Sequence, residues 1–142
     1  MSILSKLKGI QKRLELNQAL QNYCTEKFGR ELKVKRVFKN RIEINLNELP
    51  LIMITRPRVN RATQNGVISK SHSVFLYIGF SQEDLLKAQD NIVELDELVE
   101  VAVNERQTGD VPLAITVEDS VNDEGMYHPV YFNVTHLTVK DR

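Results

Sequence analysis

Two runs of apolar residues, separated by a polar segment with an Asn-Gly pair at its centre, limit most strongly how this chain can fold. Residues 51–55 read LIMIT and residues 74–80 read VFLYIGF, and both runs are rich in residue types that favour strands. Asn65 and Gly66 form a dipeptide that favours the tight turn of a β-hairpin. The sequence therefore predicts an antiparallel hairpin with strands near 50–57 and 70–80, whose tip around residues 59–69 projects from the body as an arm.

Apolar residues recur at helical spacing on both sides of this hairpin. The first stripe predicts one helix over residues 2–28 that ends before Gly29, a residue that suits a helix C-terminus. The second helix is predicted to begin after Ser81, which can cap its N-terminus. The seam of this second helix consists of Leu85, Ala88, Ile92, Leu95, Val99 and Ala102.

The remaining strand patterns complete an α+β prediction. Alternating or continuous apolar residues predict strands near 32–38, 41–46, 113–118 and 129–139, with an acidic loop at 119–127. The predicted order is α-β-β-β-α-β-β, with a mixed or antiparallel sheet, two helices packed on one face and the hairpin arm projecting. A length of 142 residues suits a single domain, 1–142, with one hydrophobic core.

Composition excludes several classes of protein. Cys24 is the only cysteine, which excludes an intramolecular disulfide and a zinc site made of several cysteines. No apolar run approaches the roughly 18 residues of a membrane-spanning helix. Lysine and arginine interrupt the N-terminal residues MSILSKLKGIQKRL every few positions, unlike the apolar core of a signal peptide. We therefore expect a reduced, cytoplasmic protein that does not bind membranes.

The net charge of zero conceals an uneven distribution. Residues 1–70 contain 15 Lys+Arg and 5 Asp+Glu, a balance of +10, and residues 71–142 contain 4 and 14, a balance of −10. Three interpretations are open. The fold interleaves the two halves; or a basic face of one copy meets an acidic face of the next, a contact that builds rings or filaments; or the basic half binds nucleic acid or another acidic partner.

The chain contains no motif that predicts catalysis. Phosphate-binding loops of the GxxxxGK[ST] and GxGxxG types are absent, and His72, His128 and His136 lie on different segments without metal-ligand spacing. Cys24 is predicted to be buried rather than nucleophilic. The acidic residues near 119–124 lack the ligand order of a calcium loop, and the Glu31-Leu32-Lys33 motif is too short to indicate a nuclease. We expect no enzyme, no cofactor and no metal.

The layout of the central and closing segments resembles a known family. Residues 47–54 read NELPLIMI, the polar arm follows, and residues 81–85 read SQEDL at the start of the acidic helix. Residues 128–132 read HPVYF in the closing strands. Together with the N-terminal helix, this layout resembles the tail terminator, or tail completion, proteins of long-tailed bacteriophages, the group that includes the lambda minor tail protein U. The likeness is one of element order over most of the chain.

This resemblance implies a structural protein of the virion tail, assembled in the cytoplasm of the host bacterium. Members of the family form a hexameric ring that caps the head-proximal end of the tail tube, ends its polymerisation and presents a surface for the head. The implied partners are further copies of this chain, the tail tube protein and a head-neck connector protein. DNA is implied only in transit through the ring. The family contributes no catalytic residues.

Opposite charge on two predicted surfaces provides candidate interface residues. The arm provides the cations and the exposed face of the second helix provides the acids. The predicted subunit or tube interface consists of Arg56, Arg58, Arg61, Lys70, Glu94, Glu97 and Glu100. The alternative function is a nucleic-acid-binding accessory protein, which would use the basic N-terminal half: Lys33, Lys35, Arg36, Lys39 and Arg41, together with the arm.

Overall fold

The computed structural model describes residues 2–37, 46–55, 57–109, 113–123 and 128–140. Within these residues the chain forms three α-helices, six strands and a short 3₁₀ turn at Leu46–Glu48. The helices are α1 (Ile3–Leu16), α2 (Gln18–Phe28) and α3 (Leu85–Asn104). The strands are β1 (Lys33–Val37), β2 (Leu51–Thr55), β3 (Arg58–Gln64), β4 (Val67–Ser81), β5 (Ile115–Asp123) and β6 (Val130–Lys140).

The strands form one mixed sheet, in which the order of the main path is β1-β2-β4-β6-β5. β1 runs parallel to β2, whereas the other pairs are antiparallel. β3 pairs with the first half of β4, where residues 58–64 face residues 67–73. The predicted α+β class with a mixed sheet and a projecting hairpin is therefore confirmed.

The helices pack on one face of the sheet and enclose the main core. Leu14 of α1, Leu95 of α3 and Leu76 of β4 belong to one cluster of fully buried side chains. At one end of this core, Phe80 lies between Phe28 and Tyr131, with ring centroids 5.2 Å and 5.8 Å away. Of the helices that the structure describes, none has the length and apolar composition that a bilayer crossing requires.

A smaller apolar cluster lies on the opposite face of the sheet. It consists of Leu49, Leu51, Met53, Val130 and Phe132. The Phe132 ring lies directly over Gly79, its partner in the neighbouring strand. A Cβ at position 79 would overlap Phe132 Cε1, so this close approach requires glycine.

The single N-terminal helix predicted over residues 2–28 is wrong, because Asn17 divides it into α1 and α2. Asn17 is extended, with a ψ of 113°, and its side-chain oxygen accepts a hydrogen bond from the Leu20 backbone N–H at 2.9 Å. Its side-chain nitrogen donates to Glu105 Oε2 at 3.0 Å. An asparagine that caps a helix in this way offers the backbone an alternative to continuing the preceding helix.

The hairpin is longer and more regular than the sequence predicted. Residues 58–64 and 67–70 form paired strands, so the predicted open tip at 59–69 is reduced to the two-residue turn Asn65–Gly66. Both turn residues have positive φ, 52° and 77°, as this tight turn requires. Strand pairing here satisfies backbone hydrogen bonds without burying a face, which is why apolar periodicity gave no signal. Of the strand predicted at 41–46, residues 41–45 lie outside the described residues and Leu46 begins the 3₁₀ turn.

Two boundaries in the second half also differ from the prediction. Ser81 is the last residue of β4, and Asp84 caps α3 by accepting a hydrogen bond from the Lys87 backbone N–H at 3.0 Å. Several polar residues in a row can serve as a cap, and the tertiary position of β4 selects Asp84. Of the predicted acidic loop, residues 119–123 belong to β5, and residues 124–127 lie outside the described residues.

Candidate interaction surfaces

The arm, defined as residues 58–70, is exposed along its whole length. Beyond the point where β6 ends at Lys140, β4 pairs with β3 alone, so the distal part of the arm is a two-stranded ribbon. Two-stranded hairpins are marginally stable in water without a further packing surface. Val67 and Ile68 near the tip nevertheless leave 67% and 64% of their surface exposed. The arm is therefore a projecting element with apolar residues available for contact.

The strand register separates the predicted cations of the arm between its two faces. Arg61 lies directly opposite Lys70, so these two side chains share the face on which the helices lie, together with Ile68. Arg58 lies opposite Ser73 and points to the other face. Arg56, the fourth predicted cation, lies outside the described residues. The structure therefore brings Arg61 and Lys70 together and places Arg58 apart from them.

The Arg61–Lys70 pair is unfavourable for an isolated hairpin. Like charges directly opposite each other in an antiparallel pair destabilise it by a few tenths of a kcal/mol to about 1 kcal/mol. Among the described residues, no acidic side chain forms an ion pair with Arg61 or Lys70. An acidic surface on another molecule would relieve this repulsion.

The second surface is the outer stripe of α3, which combines acidic and apolar residues. Its members recur at spacings of three or four along the exposed side of the helix, and Glu100 and Val101 are adjacent at its end. Leu86 and Val93 leave 72% and 59% of their surface exposed. The outer stripe consists of Leu86, Asp90, Val93, Glu97, Glu100 and Val101. Glu97 and Glu100 of this stripe were predicted as interface residues, whereas its apolar members were not, although their spacing was a usable signal.

Two other predicted residues of α3 lie outside the outer stripe: Glu94 is exposed as predicted, whereas Leu85 is not buried as predicted. Glu94 is exposed but lies at the flank of the outer stripe, towards Tyr23 of α2. Burial raises the pKa of Tyr23, and the charge of Glu94 raises it further. Leu85, predicted in the buried seam, is exposed because α3 begins there, whereas Leu95 and Val99 are buried as predicted.

Strands from the basic and acidic halves of the sequence lie at opposite edges of the main sheet. The N-terminal helices, however, bring some basic residues into contact with the second half of the chain. β1, with Lys33, Lys35 and Arg36, forms one edge of the main sheet, and the acidic β5 forms the other. Two N-terminal cations are buried instead. The Lys6 ammonium donates to the Lys140 carbonyl at 2.6 Å, and the Arg13 guanidinium donates to the Val103 carbonyl, in the last turn of α3, at 2.7 Å.

The basic strand β1 is poorly suited to binding a polyanion. The Lys35 ammonium hydrogen-bonds and ion-pairs with Glu48, which lowers the pKa of that carboxyl group. The Arg36 guanidinium donates to Gln11 Oε1 at 2.9 Å. Lys33 is exposed, and the other two cations of the alternative hypothesis, Lys39 and Arg41, lie outside the described residues. Two of the predicted phosphate-binding cations are therefore already engaged within the chain.

The fold is similar to that of a virion component. A chain in a solved structure described as the virion of a native gene transfer agent particle aligns over 92% of this chain and 90% of its own length. The TM-score is 0.53 and the sequence identity is 8%, so the likeness is one of fold. No family model matches the sequence, and no curated protein matches it either.

The residues considered for chemistry do not converge. His72 is buried in β4, while His136 stacks on Phe75 with ring centroids 4.8 Å apart. His136 Nδ1 lies 3.5 Å from Asp119 Oδ1, and His128 lies before β6. Within the described ranges, no cluster of three or more His, Cys, Asp or Glu side chains could hold a metal ion.

A shallow pocket of about 460 Å³ contains the Glu31-Leu32-Lys33 motif. Its charged lining alternates in sign, with Arg30 and Lys33 beside Glu31 and Glu48. Arg30 donates to the Asn47 carbonyl at 2.7 Å, and this bond fixes the 3₁₀ turn against the end of α2. Within the described residues, Arg30, which precedes the motif, therefore joins two segments of the fold.

Cys24 is fully buried, as predicted. Burial raises the pKa of its thiol to about 12. At pH 8 the native thiol is then almost entirely protonated, whereas an unfolded cysteine with a pKa near 8.5 is partly thiolate. We expect iodoacetamide to alkylate the native chain roughly a thousandfold more slowly than the guanidinium-unfolded chain.

Mass spectrometry of alkylated protein over time measures both rates. A Val121→Cys variant, with its new cysteine on an exposed strand position, provides a fast-reacting control in the folded state. Equal rates for native and unfolded wild-type protein would contradict the burial of this thiol.

Proposed function

We propose that this chain is a structural subunit of a phage or prophage virion, and that it acts as a tail terminator. In this role, copies of the chain form a ring, expected to be hexameric, on the head-proximal end of the tail tube. The ring ends polymerisation of the tube and provides the surface that joins the head through a connector protein. In this role the chain acts by binding other copies of itself, the tube and the connector protein, and it catalyses no reaction.

The observation that carries this proposal is the fold likeness to a chain of a gene transfer agent virion, which extends over nearly the full length of both chains. A likeness of this extent supports a similar architecture. The element order and the projecting arm also suit the tail terminator family that the sequence resembles. The tail position is therefore our inference from two independent resemblances.

Two exposed surfaces, the arm and the outer stripe of α3, support the proposal that the chain is a subunit of an assembly. The arm presents cations and apolar residues on a two-stranded ribbon that projects about 13 Å beyond Lys140, at 3.3 Å per residue. The outer stripe of α3 presents carboxylates and apolar residues on one exposed helix face. Apolar anchors supply most of the affinity in such interfaces, and complementary charge fixes orientation and register.

Imaging of the purified chain with its tail tubes tests the proposal. We expect negative-stain micrographs to show annular particles, and tubes assembled with the chain to carry one capped end and stop growing. On purified virions, a gold-labelled antibody against this chain should mark the junction between head and tail. Label on the capsid shell or at the distal tail tip would contradict the terminator role and leave a different virion role.

A gel-shift titration tests the nucleic-acid alternative with the same protein. Under the terminator proposal we expect weak, sequence-independent binding of duplex DNA. Tight binding whose affinity falls steeply with salt would favour the alternative, because each phosphate contact releases a counterion. A Lys33→Glu variant serves as a probe, since Lys33 is an exposed β1 cation without an ion-pair partner among the described residues.

A further inference from the structure

The arm and the outer stripe of α3 are complementary surfaces within the same chain. The helix-side face of the arm carries the Arg61–Lys70 pair beside Ile68. The outer stripe carries Glu97 and Glu100 beside apolar residues. One surface is cationic and apolar, the other is acidic and apolar, and both are exposed.

Their dimensions allow the charged positions to meet. The part of the arm beyond Lys140, residues 61–64 and 67–70, extends about 13 Å, at 3.3 Å per residue. This length equals about nine residues of a helix at 1.5 Å per residue, so the arm could lie along the half of the outer stripe that contains Glu97 and Glu100.

Each surface alone contains unrelieved repulsion. Arg61 and Lys70 face each other across the hairpin, and Glu97 and Glu100 are three residues apart on one helix, a spacing at which like charges repel. Among the described residues, none of these four side chains forms an ion pair or a side-chain hydrogen bond. Pairing the two surfaces would replace both repulsions with attraction.

We infer that the arm of one copy lies along the outer stripe of α3 of the next copy, with Arg61 and Lys70 against Glu97 and Glu100. The contact joins two different patches, so it is heterologous and propagates around a ring. This inference rests on the proposed function and adds which two surfaces meet. The partner is a second copy of this chain, because the complementary surface is present on the chain itself.

A charge-swap experiment tests this pairing. Variant A carries Arg61→Glu and Lys70→Glu, so its arm and its stripe are both acidic. Variant B carries Glu97→Lys and Glu100→Lys, so both of its surfaces are basic. We expect each variant alone to assemble roughly a hundredfold more weakly than wild type, because like charges meet at every contact.

A mixture of the two variants is expected to assemble again. The acidic arm of A then meets the basic stripe of B, and the basic arm of B meets the acidic stripe of A. Analytical ultracentrifugation measures the assembly, and native mass spectrometry should find equal numbers of A and B in each closed particle.

A matched control separates specific pairing from attraction between net charges. Lys8→Glu with Lys27→Glu also changes the net charge by −4, at exposed positions outside the arm. This control should assemble like wild type on its own. Mixed with B, it should not restore the assembly of B, because its arm and the stripe of B are both basic.

The outcomes distinguish the pairing from the proposed function. If wild type assembles and variant A or B does so equally well, or if A and B fail to complement each other, the pairing is wrong and the terminator proposal stands. If wild-type protein neither forms rings nor caps tail tubes, the proposed function fails and the pairing fails with it. Circular dichroism of each variant confirms that the subunits compared are folded.

Discussion

Shortening the arm by four residues on each strand is expected to abolish assembly and leave the subunit folded. Deleting residues 61–64 and 67–70 joins Asn60 to Asn65 and Gly66 to Ser71, and Asn60 and Ser71 are already opposite each other in the register. The tight turn is therefore kept with the correct geometry. All eight removed residues are exposed, so little buried contact is lost.

The expected result is a change of less than about 1 kcal/mol in the free energy of unfolding, since exposed residues away from caps and cores contribute little. Assembly should fall below detection, because the deletion removes Arg61, Ile68 and Lys70 together. Thermal unfolding followed by circular dichroism measures the first quantity, and sedimentation velocity measures the second.

The deletion also distinguishes between two uses of the arm. A variant that still forms rings but fails to cap tail tubes would assign the arm to the tube protein rather than to a neighbouring subunit. A variant that assembles and caps tail tubes like wild type would show that the arm is needed for neither contact.

Replacing Phe80 by alanine is expected to have the largest effect on stability. The Phe80 side chain is fully buried between Phe28 of α2 and Tyr131 of β6, at the end of the main core. Removing a buried phenylalanine ring loses its transfer free energy and leaves a cavity, which costs about 3–5 kcal/mol. Domains of this kind are stable by about 5–15 kcal/mol, so a large part of the total would be lost.

Thermal unfolding should show a melting temperature lower by roughly 10–20 °C. Val121→Ala provides a matched control, because Val121 is also an apolar strand residue but leaves 61% of its surface exposed. We expect the control to change the free energy of unfolding by less than about 0.5 kcal/mol. Similar effects for Phe80→Ala and Val121→Ala would show that Phe80 is not part of a close-packed core.

The local pattern of residues was sufficient for some elements. Continuous apolar runs predicted the buried strands β2 and β4, the Asn65–Gly66 pair predicted the turn, and the seam through Leu95 and Val99 predicted the buried face of α3. These features depend on near neighbours in the chain, because strand and helix periodicities are properties of short segments.

Other features depended on competition between local alternatives. Asn17 could continue a helix or cap a new one, and its hydrogen bonds with Leu20 and Glu105 stabilise it as a cap. Ser81 and Asp84 could each begin α3, and the length of β4 decides for Asp84. A polar residue with two possible hydrogen-bonding roles carries no local signal for choosing between them.

The sequence by itself determined the α+β class, the tight turn, the burial of Cys24 and the presence of cations on the arm and acids on α3. Only the tertiary structure decided which of those charges share a surface. Strand register places Arg61 with Lys70 and separates Arg58, and helix packing leaves Glu97 central on the outer stripe and Glu94 at its flank. The reason is physical: charge is a property of each residue, whereas a face is defined by what the neighbouring strands and helices cover.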